Sequence, residues 1–77
     1  MQHIIDFFKK EAENLERTNK NALAIKAYQN LIPILPLNEK IEAKKHLLVL
    51  YKKLGKVRES LELEKEIGRE SGLGGGA

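Results

Sequence analysis

Apolar residues recur along this chain at spacings of three and four, and no stretch alternates as a strand would. Ile4, Ile5, Phe8, Ala12 and Leu15 fall on one face of a first helix. The run "ERTNKN" breaks that pattern, and Asn19 suits the left-handed conformation that ends a helix. A second helix restarts with Leu23, Ala24, Ala27, Tyr28 and Leu31, and carries its apolar face on to Ile34 or Leu35. The third begins near Glu39 and holds Ile41, Ala43, Leu47, Leu48, Leu50, Tyr51 and Leu54 before Gly55 stops it. The fourth runs from about Lys56 to Ile67, with Val57, Ser60, Leu61 and Ile67 along its inner face. Phe7 and Leu63 project away from these inner stripes.

The segment "LIPILPL", Leu31 to Leu37, decides where the second helix ends. Pro33 removes one helical hydrogen bond and tightens the last turn. Ile32 and Leu35 each precede a proline and are biased away from helix, so Pro36 marks the stop and Asn38 is the N-cap expected for the third helix. Two prolines exclude an interior strand. Pro33 and Pro36 also spell PxxP, but no basic residue flanks the motif and four of its seven residues are expected inside. The segment reads as a terminator.

Shifting the chain by 36 residues pairs Ala12 with Leu48, Leu15 with Tyr51, Asn19 with Gly55, Ala24 with Ser60, and Leu31 with Ile67. On Phe8, Glu11-Ala12, Leu15, Ala24-x3-Tyr28 and Pro36, then Leu47-Leu48, Tyr51, Gly55 and Ser60, the sequence resembles the tetratricopeptide repeat family. The resemblance covers roughly residues 5 to 68. It implies an all-α fold of four short antiparallel helices, arranged as two helix-turn-helix hairpins. Glu64 stands in the slot that Tyr28 fills in the first unit, which implies a more polar fourth helix. A three-helix bundle like the MIT domains of trafficking proteins is the alternative, and Gly55 counts against it by leaving a fourth segment to place.

Composition narrows the chemistry. The 77 residues suffice for one domain, residues 1–70, followed by a glycine-rich tail, 71–77, expected to be flexible. Without cysteine there is no disulfide, thiolate metal site or cysteine nucleophile. No apolar run approaches a bilayer span, and no basic stretch precedes the first apolar residues, so the cytoplasm is the expected location. No phosphate-binding loop, catalytic triad signature or metal-ligand spacing occurs, which leaves no candidate catalytic, cofactor-binding or metal-ligating residues. His46 has only Glu42 one turn before it, the pattern of a surface pair. An enzyme is not expected.

Charge is uneven. From Lys40 to Arg58 seven basic residues face Glu42 alone, whereas the stretch Glu59 to Glu70 holds five acids against Lys65 and Arg69. In the resembled family, the first helix of each unit lines a groove for a partner peptide. Carried over, that groove would present Lys9, Lys10 and Arg17 from the first unit, and Lys45, His46, Val49, Lys52 and Lys53 from the second. Asp6, Glu13 and Glu42 share the same side. The resemblance thus implies a non-catalytic protein-interaction module with a basic-leaning groove for an acidic or amphipathic peptide. Two alternatives are a nucleic-acid-binding face along Lys40–Arg58, poor in arginine and aromatics, and a homodimerising scaffold using Phe7 and Leu63.

Overall fold

Two of the described residues have a left-handed backbone, and they lie 36 positions apart. Asn19 has φ +63° and Gly55 φ +71° in the computed structural model, which describes residues 2–71. Each ends a helix in the same way. Asn19 N–H donates to Glu16 O at 3.1 Å and Lys20 N–H to Leu15 O at 2.9 Å. Gly55 N–H donates to Lys52 O at 3.1 Å and Lys56 N–H to Tyr51 O at 2.8 Å. These paired bonds satisfy carbonyls that a helix end leaves open. Glycine adopts the left-handed region without steric cost, and asparagine is among the side chains that tolerate it best. Lys20 and Lys56 then open the next helices, their carbonyls accepting from Ala24 N–H at 2.9 Å and Ser60 N–H at 3.0 Å. The two helix ends therefore repeat the same backbone bonds 36 residues apart.

Four helices result: α1 (Gln2–Arg17), α2 (Asn21–Leu31), α3 (Leu37–Lys53) and α4 (Val57–Glu70), with a tight 3-10 turn at Ile32–Ile34. No strand occurs among the described residues, so the all-α class and the division into four hold. The separate α4 after Gly55 rules out the three-helix alternative. No described helix is long and apolar enough to cross a membrane.

The proline segment behaves differently from expectation at three points. Ile32 stays helical (φ −52°, ψ −44°), because Pro33 takes an early position of the tight turn, where its missing N–H matters least. Leu35 is extended (φ −89°, ψ 150°), as a residue before proline should be. Pro36 itself opens α3, its carbonyl accepting from Lys40 N–H at 2.8 Å. The third helix thus begins at Leu37, and Asn38 lies in its first turn instead of capping it. Of the seven residues, only Leu31 and Leu35 are buried, not four.

Each helix packs chiefly on its neighbours in the chain, α1 on α2, α2 on α3 and α3 on α4. The molecule is a slab of 37 × 32 × 15 Å. A thickness of that order is two helix layers, since an axis spacing of about 9 Å plus a Cα radius of about 2.3 Å on each side gives about 14 Å. Ala12, Ala24 and Leu50 have no exposed surface at all. Ile5, Ile25, Tyr28, Leu31, Leu35, Ala43, Leu47 and Leu63 complete the buried core. The two alanines allow α1 and α2 to approach closely. Ser60, the partner of Ala24 in the repeat, is also buried, its hydroxyl donating to Val57 O at 2.8 Å.

Several residues assigned to the inner stripes lie outside: Ile4, Phe8, Leu23, Leu54, Val57 and Leu61 are exposed. Ile25 and Leu63 take the inner places instead of Leu23 and Leu61. Leu63 therefore does not project outward, whereas Phe7 does. The fourth helix continues through Gly68 to Glu70, past its expected end at Ile67. One buried cation accounts for this. Lys44 on α3 is 8% exposed, and its Nζ lies 3.1 Å from Glu66 Oε1 and 2.6 Å from Glu70 Oε2. Burial pushes the Lys44 pKa down, but hydrogen bonds to Glu70 and Glu66 outweigh it and leave the ammonium above its usual range. Ser71 closes α4 with its N–H on Ile67 O, and the rest of the expected tail lies outside the described residues.

Candidate functional site

Helices α1 and α3 are bridged along their length. Lys9 Nζ meets Glu39 Oε1 at 2.7 Å at one end, and His46 Nδ1 lies 3.1 Å from Glu16 Oε1 at the other. Between the bridges is a cleft of about 250 Å³. Tyr28, Leu31, Leu35 and Ala43 form its floor, and Lys9, Glu13, Glu39, Glu42 and His46 its walls. The hydrogen bond to Glu39 raises the Lys9 pKa above its usual range, more than desolvation lowers it.

The His46 end is a three-residue contact built from three helices. Tyr28 OH from α2 donates to Glu16 Oε1 of α1 at 2.9 Å, and the His46 ring of α3 stacks on Tyr28 at 5.6 Å between centroids. Burial of Tyr28 raises its pKa well above the usual phenol range, and the bond to Glu16 adds to the effect. The same positions one repeat later carry different chemistry: Lys52 Nζ and Glu64 Oε2 form an ion pair at 3.1 Å, both exposed. An uncharged phenol in the core of the first hairpin becomes a solvated ion pair in the second.

This contact makes the domain sensitive to alkali. Because the native phenol holds its proton more tightly than an unfolded one, the unfolded chain ionises first and stability falls as pH rises above about 10. Tyr28→Phe loses the bond to Glu16, so its stability at neutral pH drops by about 1 kcal/mol. Its further loss between about pH 8 and about pH 11, read from urea midpoints, is shallower than that of the parent. Equal alkaline slopes in the two proteins would count against this role of Tyr28.

The eight groove residues expected from sequence do not form one site. Lys9 and His46 line the cleft. Lys10 and Arg17 border a separate shallow depression with Glu13 and Asn14, and Arg17 donates to Asn14 Oδ1. Lys45 reaches Glu42 at 3.4 Å, Lys52 is held by Glu64, and Val49 is exposed. Lys10 and Lys53 have no ion pair among the described residues. Protein-family models, curated proteins and solved structures yield no match to this chain. The cleft's properties therefore rest on its own residues. Its walls hold three carboxylates against Lys9 and His46, so the cleft itself is not lysine-rich.

The contributions of Tyr28, Glu16 and Glu39 had no local signal in the sequence. Glu39 lies 30 residues from its partner Lys9, and Glu16 lies 30 from His46, so only the hairpin stacking unites them. The Lys40–Arg58 basic strip is also interrupted. Lys44 of α3 is buried against α4, and Lys45 and Lys52 are paired, leaving fewer free cations for a phosphate backbone than the sequence count suggests.

Proposed function

We propose that this domain is a non-catalytic, cytoplasmic protein-interaction module of tetratricopeptide-repeat type. It binds a helical or extended peptide of acidic or amphipathic character across the face formed by α1 and α3. The observation that carries this reading is the cleft between those two helices, with an apolar and aromatic floor, on helices that also carry Lys10 and Lys53 without an ion pair among the described residues. Apolar side chains of the peptide would sit over Leu31, Leu35 and Tyr28. Its acidic side chains would meet Lys10 on α1 and Lys53 on α3.

Selection of displayed random peptides on the purified domain tests this. The expected winners pair one or two large apolar residues with flanking Asp or Glu. Lys10→Glu combined with Lys53→Glu weakens them by about tenfold, the loss of about 1.4 kcal/mol. Enrichment of no peptide class, or binding indifferent to the double reversal, would overturn the proposal.

A further inference from the structure

The edge of α1 and α2 that faces away from α3 is an apolar surface with a groove of about 360 Å³, lined by Phe8, Glu11, Ala27, Asn30, Leu31 and Ile34. Ile4 lies one turn before Phe8, and Leu23 one turn before Ala27, which places both on the same edge. Ile4 is 52% exposed, Leu23 56% and Ile34 44%. Phe7 adds its ring edge-on to Phe8 at 5.7 Å. The exposed parts of these side chains amount to roughly 500 Å², the upper end for a patch on a monomer.

The repeat supplies an internal template for what covers such an edge. Adding 36 to Phe8, Glu11, Ala27 and Asn30 gives Lys44, Leu47, Leu63 and Glu66, which line the matching groove of the second hairpin. There the wall is completed by Gln29, Ile32 and Pro33 from the hairpin in front. Among the described residues nothing plays that part for the first hairpin.

We propose that the edge is covered by the same edge of a second copy, related by a two-fold axis. Head-to-tail stacking is disfavoured by the chain's own pairings. Repeating the Lys9–Glu39 bridge between copies would set Lys45 against His3, and repeating the Glu16–His46 bridge would set Lys52 against Lys10. Edge-to-edge pairing is self-complementary. Glu11 lines the groove, Lys26 flanks it between Leu23 and Asn30, and neither has an ion pair among the described residues. A two-fold axis lets each Glu11 meet the other copy's Lys26. The roughly 500 Å² of apolar surface supplies most of the ~600 Å² per partner at the lower end of standard stable interfaces. Lys9 and Glu13 line the cleft on the other side of α1, so a dimer leaves two clefts open and can bind divalent partners with avidity.

The test is solution mass by light scattering and sedimentation, from low micromolar to near-millimolar concentration. The expected result is a monomer–dimer equilibrium that stops at twice the chain mass. Ile4→Glu with Leu23→Glu gives a monomer whose helical circular dichroism and melting temperature match the parent. Glu11→Lys weakens the dimer by about tenfold, and adding Lys26→Glu in the same chain restores it. A monomer throughout, a mass that grows past the dimer, or a dimer indifferent to the double glutamate variant would each overturn the proposal.

Discussion

Leu50→Ala halves the urea midpoint of this domain or lowers it further. Leu50 is the largest side chain with no exposed surface, and it sits in the last turn of α3, the helix that touches both α2 and α4. Removing three buried carbons costs about 2–5 kcal/mol when the surroundings do not collapse into the space. A single core in a chain of this length supplies only about 3–5 kcal/mol of net stability, so the loss is most of what exists. Leu54→Ala, one turn later, removes the same atoms from a side chain that is 42% exposed and costs less than about 1 kcal/mol. Urea unfolding followed by circular dichroism separates the two. Similar midpoints for both variants would mean that α3 does not present the face described.

Reversing the buried charge on α3 is expected to detach α4. Lys44→Glu places a carboxylate among Glu66 and Glu70 in a position that is nearly closed to water. An unpaired buried charge costs about 3–5 kcal/mol, more than the docking of one terminal helix can sustain. Lys44→Met keeps the volume and the apolar stem. Glu66 and Glu70 retain substantial exposure, so their loss of a partner is met by solvent and the change stays within about 1 kcal/mol. Because α4 packs chiefly on α3, the effect of Lys44→Glu is local. Amide exchange across Val57–Glu70 accelerates strongly, while Leu31, Leu47 and Leu50 keep measurable protection. Equal exchange in the glutamate and methionine variants would show that the ion pairs do not hold the helix.

The features read correctly from sequence are those with a short-range cause. Asn19 and Gly55 announce themselves as left-handed helix ends, and their separation sets the repeat without any tertiary information. Pro36 stops the second segment for reasons contained in its own ring. Burial is harder wherever apolar residues sit close together on a helix. Periodicity places Leu23 and Leu61 inside and Leu63 outside, yet Ile25 and Leu63 are the buried ones, because the choice depends on which neighbouring helix arrives. Ile4, Phe8 and Leu23 continue the apolar stripes, yet no described helix covers them, so helical periodicity alone overstates the core. Lys44 was illegible in a different way. A lysine reads as surface, and only the length of α4 brings two carboxylates over it. The cleft was half visible: Lys9 and His46 follow from the groove expectation, but their carboxylate partners lie 30 residues away.

Packing along a single row has a kinetic consequence. Most tertiary contacts join helices that are consecutive in the chain, so few long loops must close before burial begins to compensate for lost chain entropy. Such low contact order belongs to domains that fold in microseconds to milliseconds. During synthesis the first hairpin can close once Leu35 has emerged, and it then offers α3 a ready surface on which to form. The order of translation and the order of assembly coincide, which leaves little time for the apolar faces to find unrelated chains.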